Sequence, residues 1–157
     1  MAMNQTPATP MTPAASMTLD DQLCFALYSA SRAVTAAYRP VLAELDLTYP
    51  QYLVMLAVWE RGPVPMKELG VMLGLDYGTL SPLLKRLEAA GLLLRERQAA
   101  DERLVTVEAT EQGRALRERA EGIPGSMGRI YGLTAEEAVQ LRDRLRALID
   151  RLGTPAA

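Results

Sequence analysis

The sequence predicts a mainly α-helical fold of the α+β class, a winged helix-turn-helix of about six helices and one β-hairpin, with its N- and C-terminal helices forming a dimer. Three observations predict it. Capping residues at Thr18, Thr48, Asp76, Thr110 and Thr134 each precede a run whose apolar residues recur at helical spacing. Two short helical runs meet at a tight turn around Gly74, which makes a helix-turn-helix candidate. Two short strand-like runs then flank a charged stretch, the pattern of a hairpin wing.

At 157 residues and 49% hydrophobic, the chain suffices for one core. No run approaches the roughly 18 apolar residues of a membrane span, and no secretory signal opens the chain, so a cytoplasmic protein is expected. The net charge of −2 gives no global basic signature, so any nucleic-acid binding must come from charge on one face. With no His and one Cys, zinc sites and Cys-His catalysis are all but excluded, and no metal or cofactor is expected. Cys24 is then a buried small hydrophobe, a reactive thiol, or half of an intermolecular bridge.

Residues 1–17 carry Pro7, Pro10 and Pro13 without charge or periodicity and read as a disordered tail; residues 153–157 form a second tail. Thr18-Leu19-Asp20-Asp21 fits a capping box, which starts a long helix there and puts Cys24 in its second turn. Its stripe runs through Leu19, Leu23, Leu27, Ala30, Val34, Ala37, Val41 and Leu45, with a bend or break expected at Pro40. Thr48-Tyr49-Pro50-Gln51 caps a second helix that Gly62 and Pro63 end. Met66 to Leu73 is a short helix, and Asp76 caps a fourth that runs to Ala90 and closes at Gly91, with Pro82 an irregularity inside it.

Leu92-Leu93-Leu94-Arg95 and Leu104-Val105-Thr106-Val107 are the strand candidates, with a long loop over residues 96–103. Thr110 starts a helix to about Ala120, which Gly122, Pro124, Gly125 and Gly128 then weaken. Thr134 caps a last helix with a seam of Ala138, Leu141, Leu145, Leu148 and Leu152. Residues 18–152 thus form one domain, dimerising through 18–46 and 110–152 and carrying the winged helix-turn-helix over 48–109. Met55, Met66 and Met72 read as core.

Cys24 and Tyr38 lie fourteen residues apart on the first helix, roughly 21 Å at the α-helical rise of about 1.5 Å per residue. They cannot touch within one straight helix. If they interact, two copies of the helix cross antiparallel near Ser31, giving two equivalent sites per dimer.

The segments Leu19-Asp20-Asp21-Gln22-Leu23-Cys24-Phe25-Ala26-Leu27-Tyr28, Leu47-Thr48-Tyr49-Pro50-Gln51-Tyr52, Gly78-Thr79-Leu80-Ser81-Pro82-Leu83-Leu84-Lys85-Arg86-Leu87-Glu88 and Asp101-Glu102-Arg103 resemble the MarR family, specifically its organic-hydroperoxide-sensing repressors (the OhrR branch). The resemblance implies a homodimeric, redox-sensing transcriptional regulator, not an enzyme. Cys24 would react with an organic hydroperoxide, while the partner's Tyr38 and the partner's Tyr49 hydrogen-bond its thiolate and Tyr28 lies nearby. It also implies that the fourth helix, with Thr79 and Ser81, enters the major groove of a double-stranded, pseudo-palindromic operator. Arg103 would reach the minor groove from the wing, with Asp101 holding its guanidinium.

Tyr77 stands where the family usually has a small Ser in contact with DNA, and Ala99 and Ala100 replace more polar or basic wing residues. With no second cysteine, the chain matches the one-cysteine type, in which a low-molecular-weight thiol completes the oxidation.

Residue chemistry adds to this. A thiolate attacks peroxides, Asp20 and Asp21 oppose its formation, and no Lys is near in sequence, so tyrosine hydroxyls are the available stabilisers. Lys85 and Arg86 are phosphate-contact candidates, or else a solvated helix face. Two other functions compete: a MarR-type regulator answering a phenolic or apolar ligand with Cys24 structural, and a thiol peroxidase, for which a neighbouring Arg or resolving thiol is lacking.

Overall fold

The computed structural model describes residues 17–98 and 101–153, with backbone alone at residues 98 and 101–103. The expected N-terminal tail up to residue 16, the last four residues and the Ala99-Ala100 wing tip lie outside the described residues. Two compact units result, one ending at Val34 and one beginning at Thr35.

In the first unit, the capping box at Thr18 does not form. Its hydroxyl donates to Asp21 Oδ2 at 2.6 Å instead of capping a helix, and Leu19–Asp21 makes a single 3-10 turn. Gln22 is extended (φ −85°, ψ 120°), so the long helix α1, Leu23–Ala43, begins later than expected. Cys24 is therefore in its first turn, and that turn carries no acidic residue. Nor does Pro40 break α1. Ala36 and Pro40 are both exposed, so the carbonyl that loses its N–H partner faces solvent, three residues before the helix ends.

The second unit holds the whole buried core. Helix α2, Tyr49–Arg61, starts where Gln51 Oε1 accepts the Thr48 N–H at 2.8 Å and the Thr48 hydroxyl at 3.0 Å. It buries Tyr52, Val54, Met55, Ala57 and Val58. Helix α3, Met66–Leu73, ends at Gly74 in the left-handed region (φ 62°), a conformation that favours glycine. Helix α4, Tyr77–Ala89, follows at once. Of the three methionines assigned to the core, Met55 and Met66 are buried and Met72 packs against it.

Strand β2, Leu93–Gln98, and strand β3, Asp101–Ala109, pair antiparallel from Leu93↔Ala109 to Arg97↔Val105, with an irregularity between Arg97 and Gln98. The wing is thus longer, and its loop shorter, than the charged residues 96–103 suggested. Charged side chains on a two-stranded ribbon face water on both sides, so their polarity carries no loop signal. A two-residue strand, β1 at Val64–Pro65, adds to the far edge of β3 and gives the order β1-β3-β2. Pro65 tolerates that place because it lies at a sheet edge and leads directly into α3.

Helix α5, Glu111–Ala120, is tied to the wing at its N-terminus. The Thr110 hydroxyl donates to the Gly91 carbonyl (2.6 Å) and accepts the Gly113 N–H (3.0 Å), while Trp59 Nε1 donates to the Gly113 carbonyl (2.8 Å). A Cβ at Gly113 would lie 2.1 Å from the Leu92 carbonyl oxygen, so this approach requires glycine. The described residues contain seven α-helices rather than about six. Among them α6, at Ile123–Tyr131, crosses the glycines expected to weaken the helix there, because Pro124 suits its first turn and Ile123 and Met127 are buried one turn apart. The last helix, α7 at Ala135–Leu152, opens with a full capping box: Glu137 N–H to Thr134 Oγ1 at 3.2 Å and Thr134 N–H to Glu137 Oε2 at 2.8 Å. Among the described residues no helix is long and apolar enough to cross a membrane.

Candidate functional site

Helix α4 has one face turned inward and one outward. Leu80, Leu83, Leu84 and Leu87 are buried, which fixes its rotation against the core. Asp76 Oδ1 accepts the Thr79 N–H at 2.7 Å and sets its first turn; such a cap contributes about 1 kcal/mol. The outward face presents exposed Tyr77, Thr79, Lys85 and Arg86, with Ser81 half-buried. Ser81 and Lys85, one turn apart, run along one side of that face, and Thr79 and Arg86, two turns apart, along the other. Gly78 and Pro82 lie between and carry no long side chain, so the helix axis can come close to a flat partner such as base-pair edges. Pro82 does not interrupt the helix; the bond it lacks is on this exposed side.

Lys85 and Arg86 form no ion pair among the described residues. Arg95 does: its guanidinium donates to Glu88 Oε2 through Nη2 (2.6 Å) and Nε (3.0 Å), both side chains being partly buried. That bond holds the Glu88 carboxyl below its ordinary range. Arg95 thus fastens the base of the wing to α4, while Arg97 stays exposed farther out. The side chains of Asp101 and Arg103 lie outside the described residues.

Tyr38 and Tyr49, expected to act together, do come together within one chain, with ring centroids 4.7 Å apart and planes tilted by 39°. Sequence reasoning missed the other two members of this cluster. Tyr52, one turn after Tyr49 on α2, has its ring centroid 5.7 Å from that of Tyr38. Tyr131, the last residue of α6, lies near enough to Tyr38 to act on its hydroxyl. Spacing on α2 could have found Tyr52. Tyr131 follows the buried Ile123 and Met127 at helical intervals, a signal hidden by the glycines around it. Burial is the main cause, and the neighbouring phenols a lesser one, of a rise in the Tyr38, Tyr49 and Tyr52 hydroxyls above their ordinary range. All three stay protonated at physiological pH.

In the first unit, Cys24 is exposed, which removes the reading of a buried structural cysteine within the protomer. Tyr28, one turn along α1, is also exposed and accepts a hydrogen bond from Arg32 Nη1 at 3.1 Å, with the guanidinium 5.5 Å from the ring centroid. Arg32 is thus engaged by Tyr28, two turns along α1 from the thiol.

Helix α7 buries none of its residues. Leu141, Leu145, Ile149 and Leu152 are exposed along it, and Leu148 is half-buried.

Comparison with known proteins agrees with this arrangement. A family model described as transcriptional regulator SarA/Rot matches residues 36–119. The HTH-type transcriptional regulator TtmR of Methylorubrum extorquens is 47% identical over 88% of this chain and 71% of its own. The organic hydroperoxide resistance transcriptional regulator of Bacillus subtilis is 44% identical over 87% of this chain and 92% of its own. Among solved structures, reduced AbfR bound to DNA superposes with a TM-score of 0.73 at 34% identity, covering 86% of this chain and 94% of AbfR. These relatives are regulators of transcription, not enzymes, and AbfR shares the fold described above. The chain belongs to the MarR family of winged-helix transcriptional regulators, beside its organic hydroperoxide regulators.

Proposed function

We propose that Cys24 is the sensor of a cytoplasmic, DNA-binding repressor that lets go of its operator when an organic hydroperoxide oxidises it. The observation that carries this is an exposed lone thiol in the first turn of α1, in a chain close to the Bacillus regulator.

The thiolate attacks one peroxide oxygen, the O–O bond breaks, an alcohol leaves after taking a proton, and Cys24 becomes a sulfenic acid. A low-molecular-weight thiol then condenses with it, losing water and leaving a mixed disulfide that a further thiol can reduce. The sole cysteine of this chain requires that external thiol. The relative AbfR has been solved in reduced, overoxidised and disulfide forms, which supports a redox-responsive cysteine in this branch.

The homodimer forms as one domain over residues 18–152, through 18–46 and 110–152, with the exposed apolar stripe of α7 in the interface. In it the partner's Tyr38 and the partner's Tyr49 donate hydrogen bonds to the thiolate. Burial raises both hydroxyls above the ordinary phenol range, so they keep their protons at neutral pH and can donate. Tyr28, its oxygen held by Arg32, lies on the thiol's own helix. A bulky adduct at this helix crossing shifts the two reading heads out of register with a pseudo-palindromic operator. Each head binds through Tyr77, Thr79, Ser81, Lys85 and Arg86 of α4.

Titrating the DNA complex with cumene hydroperoxide in the presence of a small thiol tests this. Release should be complete near one equivalent per chain, with the mass gain on the peptide containing Cys24. Sustained peroxide turnover without release would indicate a peroxidase instead.

A further inference from the structure

Helix α4 begins with an aromatic ring held out in water. Tyr77, its first residue, is 74% exposed. Val71, on α3, is 68% exposed, and Leu104, on β3, is 44% exposed. These three side chains line one cavity of about 400 Å³ between α3, the start of α4 and β3, and Lys67 is the only charged residue among the described residues that line it. The apolar patch therefore lies beside positive charge, which suits a polyanionic partner.

The backbone beneath holds Val71 and Tyr77 in place. A Cβ at Gly70 would lie 2.9 Å from the Leu75 carbonyl oxygen, and the Leu75 N–H donates to the Gly70 carbonyl at 2.9 Å, so the end of α3 runs directly against the turn into α4. Buried Leu80, also in the cavity lining, anchors the first turn of α4. A tyrosine presented this way loses little conformational freedom on contact, having two side-chain torsions. Tyr77, Ser81 and Lys85 follow at intervals of four residues, so the ring continues the row of α4 that ends in a cation.

The major groove offers such a patch one kind of target. Base edges there carry hydrogen-bond donors and acceptors, and the 5-methyl group of thymine is their apolar feature. Apolar side chains laid on a cytosine or purine edge cover polar atoms without pairing them, which costs free energy. Laid on a thymine methyl, they remove apolar surface from water on both sides.

We infer that Tyr77, backed by Val71, is a specificity-determining residue that reads a thymine methyl group in each half of the operator. This rests on α4 being the DNA-reading helix, as proposed above. Lys85 and Arg86 meet phosphates, which carry no sequence information, and the ring adds the discrimination.

The test compares the DNA upstream of the gene with the same fragment made with uracil in place of every thymine, which removes only the 5-methyl groups. Affinity of the full-length reduced protein for both is measured over a salt series, for wild type, Tyr77→Ser, Tyr77→Phe and Lys85→Ala. Wild type should prefer the thymine fragment about tenfold or more, because burial of one methyl group gives about fourfold and two half-sites multiply. Tyr77→Ser should lower that preference about tenfold, and Tyr77→Phe, which keeps the ring, should retain it. Lys85→Ala should weaken both complexes equally and make the salt dependence shallower.

A preference in Tyr77→Ser equal to that of wild type, including an equal loss of affinity on both fragments, would overturn the inference and mark Tyr77 as a sequence-blind contact. Loss of the preference in Tyr77→Phe would assign the discrimination to the hydroxyl and overturn it too. An effect of Lys85→Ala without one of Tyr77→Ser would keep α4 as the reading helix and remove only the thymine contact. If neither variant changes affinity or salt dependence, α4 is not the reading helix and the inference falls with that assignment.

Discussion

At Cys24, one extended residue changes the chemistry. Gln22 delays α1 to Leu23, so the thiol sits in the first turn, whose N–H groups have no acceptor within the helix, while Asp20 and Asp21 belong to a separate 3-10 turn. The Thr18 motif was legible but misleading, because its hydroxyl found Asp21 as a local acceptor. Asp76, Thr110 and Thr134 were legible and correct: a single oxygen satisfies a helix donor with no tertiary help. Arg95 and Glu88 show the opposite case, since nothing in their spacing says that wing and α4 meet there.

Their bond makes a pH prediction. The Glu88 carboxyl is depressed in the folded state, so its contribution is complete above the unfolded carboxylate value of about 4.3 and is lost as pH falls through the lower folded value. Arg95→Ala should therefore lower the melting temperature at pH 7, and the gap to wild type should close toward pH 3. A gap independent of pH would show that packing of the Arg95 stem, rather than the ion pair, is responsible.

Among the elements, those defined by their own caps and periodicity were readable, and those defined by neighbours were not. Strand β1 exists only because Val64 and Pro65 lie beside Val107 and Thr106. Helix α6 exists because Ile123 and Met127 have a core to enter. The junction of α5 with β2 is the tightest such dependence. Gly113→Ala must push α5 away from the Leu92 carbonyl and disturb the Trp59 bond, and should cost about 1 to 3 kcal/mol in urea denaturation. Gly122→Ala, where a Cβ meets nothing within 4 Å, is the control and should be neutral or slightly stabilising. Equal effects at the two positions would contradict the close approach.

For the whole molecule, the order of elements gave away the winged-helix class, since caps, a glycine turn and two strand runs in that sequence fit few other folds. The tyrosine site was only half legible, because Tyr131 joins Tyr38 from almost a hundred residues away in the chain. Dimerisation is where the exposed face of α7 matters. Leu145→Glu with Ile149→Glu places charges on a stripe that is already exposed in the protomer, so the fold should survive while sedimentation shows monomers and operator binding weakens more than tenfold at fixed salt. A double variant that stays dimeric would put the interface elsewhere.

The central claim is that Cys24 converts peroxide into loss of DNA binding. The direct test is a gel shift of wild type and Cys24→Ser on the DNA upstream of the gene, with and without cumene hydroperoxide and a small thiol. Both proteins should bind equally when reduced, and only wild type should let go, with its mixed disulfide seen by intact mass. Release of Cys24→Ser by hydroperoxide, or retention of wild type carrying the complete mixed disulfide, would contradict it.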